Sequence, residues 1–307
     1  IASINNKMTN ELNVMERSSF FRQIKWLLWR SFSGIKYSPQ RTTKLIFRLV
    51  LMALLFGVVF FQLNPNTHGY VLNVNALLMV LFMPLNESNM SLILVEVPNE
   101  RQVIIWEYRR QLYSIGAYYL SRLVLDTCYH IISSIVFMSI ILLLTGLTHG
   151  FAFIGAVILV TITACSLASL MAAISSTART GLLWLQPMQN LLVSFTGYFI
   201  NLSSIPSYLS WLKYISYIRY NYELMLTVQW HPFQDRLRCS RISSNLLATN
   251  ITSFHNDTRS GTGNDVLQCF DISYSNTGMN VFMHFVLIFV FHILAFTITL
   301  FRIRRAA

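Results

Sequence analysis

Six long apolar runs, separated by short polar connections, constrain this chain more than any other feature. A helix rises about 1.5 Å per residue and the hydrocarbon core of a bilayer is about 30 Å thick, so about 20 mainly apolar residues are enough to cross it. Residues 45–63, 71–95, 118–147, 151–174, 182–202 and 281–301 meet that requirement. The length of 307 residues would otherwise suggest two soluble domains, but 54% hydrophobic residues, 11% charged residues and a mean hydropathy of +0.51 point to an all-α integral membrane protein with six spans. A surplus of cations, 23 Lys and Arg against 12 Asp and Glu, could suggest nucleic acid. A nucleic-acid surface clusters its charges with polar and aromatic residues, whereas here apolar runs separate them, so that class is excluded. The 4 cysteines form no CxxC pair, and the 7 histidines have no ligand spacing with acidic or Cys partners, so no metal site is expected.

Polar residues inside the runs are informative because each is costly in lipid. The second run carries Pro84, Asn86, Glu87 and Asn89, which predicts an irregular helix facing protein or a cavity there. Arg122 and Asp126 stand in the opening turns of the third, Arg48 is close enough to the start of the first to snorkel, and the sixth has no formal charge. Ala164, Ala168 and Ala172 recur every four residues on the fourth, which permits close helix approach within the chain or, secondarily, between chains. Cys128 and Cys165 lie within spans and read as packing residues.

Connections retaining Lys and Arg stay on the cytoplasmic side. Eight cations from Lys7 to Lys44 precede the first span; Arg101, Arg109 and Arg110 follow the second, Arg179 follows the fourth, and Arg302, Arg304 and Arg305 follow the sixth. The alternate connections, 64–70 and 148–150, have none, so both termini are expected to be cytoplasmic. Residues 203–280 then form a large outer loop, since long loops translocate largely regardless of charge. Acceptor patterns for glycosylation begin at Asn250 and Asn256, between Cys239 and Cys269, which an oxidising lumen would allow to pair. Such three-residue patterns also arise by chance, as at Asn86, Asn89 and Asn201.

At the N-terminal side, Phe21, Ile24 and Leu28 share helical spacing, with Arg22, Lys25 and Arg30 elsewhere around the turn, as in an interfacial amphipathic helix or a plain juxtamembrane anchor. The connection from Glu96 to Arg110 mixes acids and bases with Val103, Ile104, Ile105 and Trp106. It predicts a short helix pressed on another protein surface, or alternatively one resting on lipid.

Glu100-Arg101, Glu107-Tyr108 and the run Leu112-Tyr113-Ser114-Ile115-Gly116-Ala117-Tyr118-Tyr119-Leu120 form one block. Gly197-Tyr198-Phe199-Ile200-Asn201-Leu202, Trp211-Leu212-Lys213-Tyr214 and Arg219-Tyr220-Asn221-Tyr222-Glu223 form a second. With these blocks the chain resembles, over nearly its whole length, the membrane domain of the G subfamily of ABC transporters, the White-type half-transporters. It departs from that pattern at Trp106, Gln111 and Thr127-Cys128.

The resemblance implies a dimer of halves, each with a nucleotide-binding domain that precedes the membrane domain and binds ATP and Mg. No G-x-x-x-x-G-K-[ST] loop and no LSGGQ-like segment occur here, and the first residues, Ile1-Ala2-Ser3, lack an initiator Met. A longer polypeptide is therefore expected, in which 1–43 links to the membrane domain at 44–302, 303–307 forms a basic tail, and this chain carries no catalytic residue. By resemblance, Glu100, Arg101, Trp106, Glu107 and Tyr108 contact the nucleotide-binding domain. The second and fifth spans line a substrate cavity through Leu85, Asn86, Glu87, Ser88 and Asn89 and through Gln186, Gln189, Asn190 and Ser194. Tyr198 and Phe199 would close that cavity outward, or serve as an interfacial aromatic belt. A carboxylate among amides suits a polar or cationic heterocycle, as in the White, Brown and Scarlet eye-pigment-precursor group, though Glu87 could equally be structural. Pigment precursors, lipids and xenobiotics all remain open as substrates, and the plasma membrane or a vesicle membrane as the location. An ion-coupled secondary transporter using Glu87 or Asp126 would show two related halves, and no such repeat is present. A non-transporting scaffold is the remaining alternative.

Overall fold

The computed structural model describes residues 19–37, 39–63, 70–147, 149–200, 206–231, 237–238, 260–261, 263, 266–267, 272 and 274–306. Helices account for nearly all of this. In chain order they are α1 (Phe20–Tyr37), α2 (Pro39–Val59), α3 (Tyr70–Val80), α4 (Met83–Arg109), α5 (Ile115–Thr145), α6 (Gly150–Ile174), α7 (Ala178–Ser194), α8 (Leu212–Ile215), α9 (Tyr217–Trp230) and α10 (Thr277–Ala306). One antiparallel pair of two-residue strands joins Leu237 to Gly261 and Arg238 to Ser260.

Four stretches among the described residues are long and apolar enough to span a bilayer: Tyr70–Arg109, Ile115–Thr145, Gly150–Ile174 and Tyr274–Ala306. Ile46–Val59 is a shorter apolar helix. The second run is irregular for a local reason. A turn at Leu81 and Phe82 ends α3, and Pro84 stands in the first turn of α4, where a missing N–H leaves no bond unmade. The fifth run departs from expectation, because α7 ends at Ser194 and residues 195–200 follow as turn and bend.

The innermost helix is α6, which packs against α4, α5, α9 and α10. Its small residues explain this position, since Ala164, Ala168 and Ala172 are fully buried and let neighbouring backbones come close. That alanine row therefore serves packing within the chain. By contrast, α10 shows an outward strip of Phe282, Phe285, Phe289 and Ile293, as a lipid-facing helix requires. The turn between α5 and α6 begins at Gly146, whose left-handed backbone (φ +70°) closes α5 through its N–H to the Leu142 carbonyl.

The largest difference from the sequence reading lies within the expected outer loop. Residues 217–230 form α9, a buried helix packed on α3, α6, α7 and α10. Trp230 is fully buried, donates its indole N–H to Asn75 Oδ1 at 2.8 Å and meets the Tyr70 ring edge-on. Arg219 pairs with Glu223 at 2.8 Å, and Asn280 of α10 donates to the same carboxylate at 3.1 Å.

Candidate functional site

The expected coupling residues occupy the arginine-rich end of the bundle. They do not form a separate short helix: α4 runs unbroken to Arg109, with Pro98 accommodated inside it. Extending a spanning helix makes its far end a rigid lever, which a detached helix would not be. Trp106 is exposed and carries the Arg110 guanidinium over its ring at 3.6 Å. Tyr108 is half-buried and packs with Ile104, Ile115 and Ile303.

Glu107 faces α1 instead of open solvent. Arg30 NH1 donates to its carboxylate at 2.8 Å and the Tyr113 hydroxyl donates to its other oxygen. Burial alone would lower the Arg30 pKa, but the Glu107 carboxylate more than offsets it and the net shift is upward. Burial, together with that same carboxylate accepting its proton, pushes the Tyr113 phenol up. A second clip is neutral: Gln23 Oε1 accepts from the Ser114 N–H at 2.9 Å and from its hydroxyl at 3.2 Å, while the Ser114 hydroxyl caps α5 at Ala117. Leu27 is buried against Tyr113 and Ala117. The buried side of α1 is thus Gln23, Ile24 and Leu27, whereas Phe21, Trp26, Trp29 and Phe32 point outward with Arg22 and Lys25.

A charged cluster joins α4 to α5. Arg122 donates to Glu100 at 2.9 and 3.0 Å, to Asp126 at 3.0 Å and also to Glu96. Tyr118 donates to Glu100 at 3.1 Å. Sequence reasoning noted Arg122 and Asp126 but not this convergence. The available signal was spacing: Glu96 and Glu100 are four apart on one helix, as are Arg122 and Asp126 on the next, so each pair shares a face.

Beside this cluster lies a cavity of about 60 Å³, bounded by α4, α5, α6 and α10. Arg122, Asp126 and His130 follow one another up its α5 wall, with apolar Ile93, Val97 and Leu123 alongside. His130 is buried with neither ring nitrogen hydrogen-bonded. Tyr119 spans from α5 to α10 by hydrogen bonds to the His292 ring at 3.0 Å and to its carbonyl at 3.2 Å.

The structure divides the expected substrate residues into two groups. Leu85, Asn86 and Asn89 are buried inside the bundle: Asn86 Oδ1 accepts from Thr161 at 3.2 Å and Asn89 donates to Ser133 at 3.2 Å. Gln189 is also inward, with its amide on the Met90 sulfur at 3.0 Å. These three amides therefore bind neighbouring helices. Gln186 and Asn190 are exposed on the other side of α7, Ser194 donates to the Asn190 carbonyl at 2.9 Å, and Glu87 and Ser88 are half-buried on α4. Pro187 lies between the two outward amides. Tyr198 packs edge-on against Phe199 at 5.0 Å and against Tyr222 of α9 at 5.7 Å, with Phe199 exposed. Cys239, Cys269, Asn250 and Asn256 lie outside the described residues. Among the described residues, no group of three or more His, Cys, Asp or Glu could hold a metal ion.

Against known proteins, the family described as ABC-2 type transporter matches residues 22–230. The chain is similar to the ABC transporter ATP-binding protein/permease wht-1 of Caenorhabditis elegans, 26% identical over 292 residues, which is 93% of this chain and 42% of that protein. Similarity to protein white of Drosophila melanogaster is 25% over 294 residues, covering 94% and 41%. The broad substrate specificity ATP-binding cassette transporter ABCG2 of Rattus norvegicus is 27% identical over 264 residues, covering 83% and 39%. The chain spans about two fifths of the length of these curated relatives.

Proposed function

The chain belongs to the ABC-2 type transporter family, and from that premise we propose that it is the membrane domain of an ATP-driven half-transporter moving a small organic substrate as a dimer. In this reading ATP and Mg bind a nucleotide-binding domain of the longer polypeptide, and a second half, identical or different, completes the pump. Residues 1–43 link the two domains, both termini are cytoplasmic, and the segment bearing Asn250, Asn256 and a Cys239–Cys269 bridge is luminal or extracellular.

One observation carries the proposal: α7 turns Gln186 and Asn190 outward beside Leu183 and Leu191, which are also exposed. An amide facing hydrocarbon leaves hydrogen-bonding groups unmet at a cost of several kcal/mol, so this face suits a partner or a wet cavity far better than lipid. Two such faces across a dimer axis, with Glu87 and Ser88 on the adjoining α4, would line the substrate path. The amides facing inward at Asn86, Asn89 and Gln189 would instead fix the helices behind that path. Tyr198 and Phe199, at the far end of α7, are suited to close it.

The same proposal gives α4 the role of lever. Closure of two nucleotide-binding domains must displace an element that has two arrangements, and the end of α4 is tied to α1 through Glu107 and to α5 through Glu100. The test is substrate-stimulated ATPase and transport by the full-length dimer in proteoliposomes. Gln186→Ala with Asn190→Ala is expected to change substrate preference or raise KM, with basal ATPase retained. Unaltered transport and unaltered preference would show that this face is not the path.

A further inference from the structure

Arg101 of α4 and Arg302 of α10 converge on one carbonyl. Arg101 donates to Ser175 at 2.9 Å and to Ala172 at 2.8 Å, while Arg302 donates to the same Ser175 oxygen at 2.8 Å and to Ile174 at 2.6 Å. These oxygens are the unpaired carbonyls at the end of α6, where the helix dipole amounts to roughly half a negative charge. Two full positive charges thus rest on about half a negative one. Among the described residues neither guanidinium meets a carboxylate, because nearby Glu100 is held by Arg122 and Tyr118. Each guanidinium has five N–H groups, and both retain donors beyond those used on the carbonyls.

Both arginines line the cavity described above, which also holds Arg122, Asp126 and His130 on its α5 wall, and Arg302 in addition borders an open groove with Ile298 and the exposed Phe301 of α10. The volume of about 60 Å³ is too small for an acyl chain, so an amphiphile would place only its headgroup at the arginines and lay its apolar part over Ile298 and the exposed Phe301 beside Arg302. We propose that Arg101 and Arg302 form a site for the phosphate of an anionic phospholipid drawn from the leaflet at the arginine-rich end. A guanidinium pair matches phosphate geometry bidentately, and a basic pocket set between spanning helices selects an anionic headgroup over a zwitterionic one. The occupant is a lipid and not a soluble anion because Arg302 adjoins the exposed Phe301 on a helix long and apolar enough to cross the bilayer.

Neutralising the two like charges would tighten the junction of α4, α6 and α10. If α4 is the coupling lever, the lipid then sets how firmly that lever is held; this consequence alone rests on the transport proposal, and binding itself does not.

Native mass spectrometry of the full-length polypeptide in detergent tests the site with phosphatidylserine and phosphatidylcholine of identical acyl chains. Phosphatidylserine is expected to be retained about tenfold better, a difference of about 1.4 kcal/mol. Arg101→Gln with Arg302→Gln should abolish that preference, Arg101→Lys with Arg302→Lys should keep part of it, and Arg48→Gln, at an exposed cation on α2, should leave it intact. Equal retention of the two lipids, or an undiminished preference in the double Gln variant, overturns the proposal. So does displacement by inorganic phosphate at equal potency, which would mean a soluble-anion site. Should the double variant fail to fold, photoactivatable phosphatidylserine on the unaltered protein decides: labelling of the peptide holding Ile298 and Phe301 supports the site, and labelling confined to other helices refutes it. Loss of ATPase stimulation with binding intact would strike the lever, not the lipid site.

Discussion

Arg122 serves three carboxylates with one guanidinium: Glu96 and Glu100 from α4 and Asp126 from its own helix. Removing a shared partner leaves several charges uncompensated, which costs more than the pairs contribute net. Arg122→Leu is therefore expected to destabilise the protein by about 3–5 kcal/mol, read as a lowered thermal midpoint in detergent, and Arg122→Lys by less. Arg30 and Glu107 behave differently, because the Arg30 side chain is 52% exposed. An exposed pair contributes about 0.2–1 kcal/mol, so a double-mutant cycle on Arg30→Ala and Glu107→Ala should give a coupling of that size in stability. The effect on transport should be larger than on stability, because this pair ties α1 to the end of α4. Equal small effects on both would assign it to packing alone.

Among the elements, α9 is the one whose placement most alters the reading of the chain. Its 14 residues, YIRYNYELMLTVQW, mix aromatic and polar side chains and fall short of a span. Only its partners explain why it is buried: Asn75 receives the Trp230 indole, Asn280 and Arg219 satisfy Glu223, and Ser216 caps its first turn. Trp230→Phe keeps most of the ring volume but leaves the buried Asn75 Oδ1 without its donor, which is expected to cost about 1–3 kcal/mol, measurable by chemical denaturation. An unchanged midpoint would mean that Asn75 finds another donor. By contrast, α4 shows how two opposing signals resolve. Pro84 and Pro98 both argue against a long helix, yet Pro84 falls in a first turn and Pro98 is tolerated inside, so the helix reaches the arginine-rich end intact.

At the scale of the whole molecule, the proposed dimer is expected to be non-covalent. Cys165 is buried, and Cys128, exposed and not packed as its sequence context suggested, lies within the spanning helix α5. Cys239 and Cys269 are expected to pair with each other, so these cysteines are expected to leave the halves unlinked and the protein to run as a monomer on a denaturing gel without reductant. A reductant-sensitive dimer would contradict that pairing. The membrane class, the apolar runs, the irregularity at Pro84 and the family were legible from the sequence, because hydrophobic length and backbone chemistry are properties of a segment by itself. The sequence also picked out Arg122 and Asp126, and the amides of the second and fifth runs, since polar groups stand out in apolar runs wherever they point. Direction is what it lacked. Tertiary structure sent Asn86, Asn89 and Gln189 inward and Gln186 and Asn190 outward, although all sit in similar local sequence. It also joined Arg101 to Arg302, two hundred residues apart in the chain, and drew α9 into the bundle. Each outcome depends on which side chains of other helices meet the buried polar group, and that is a property of packing that no single segment contains.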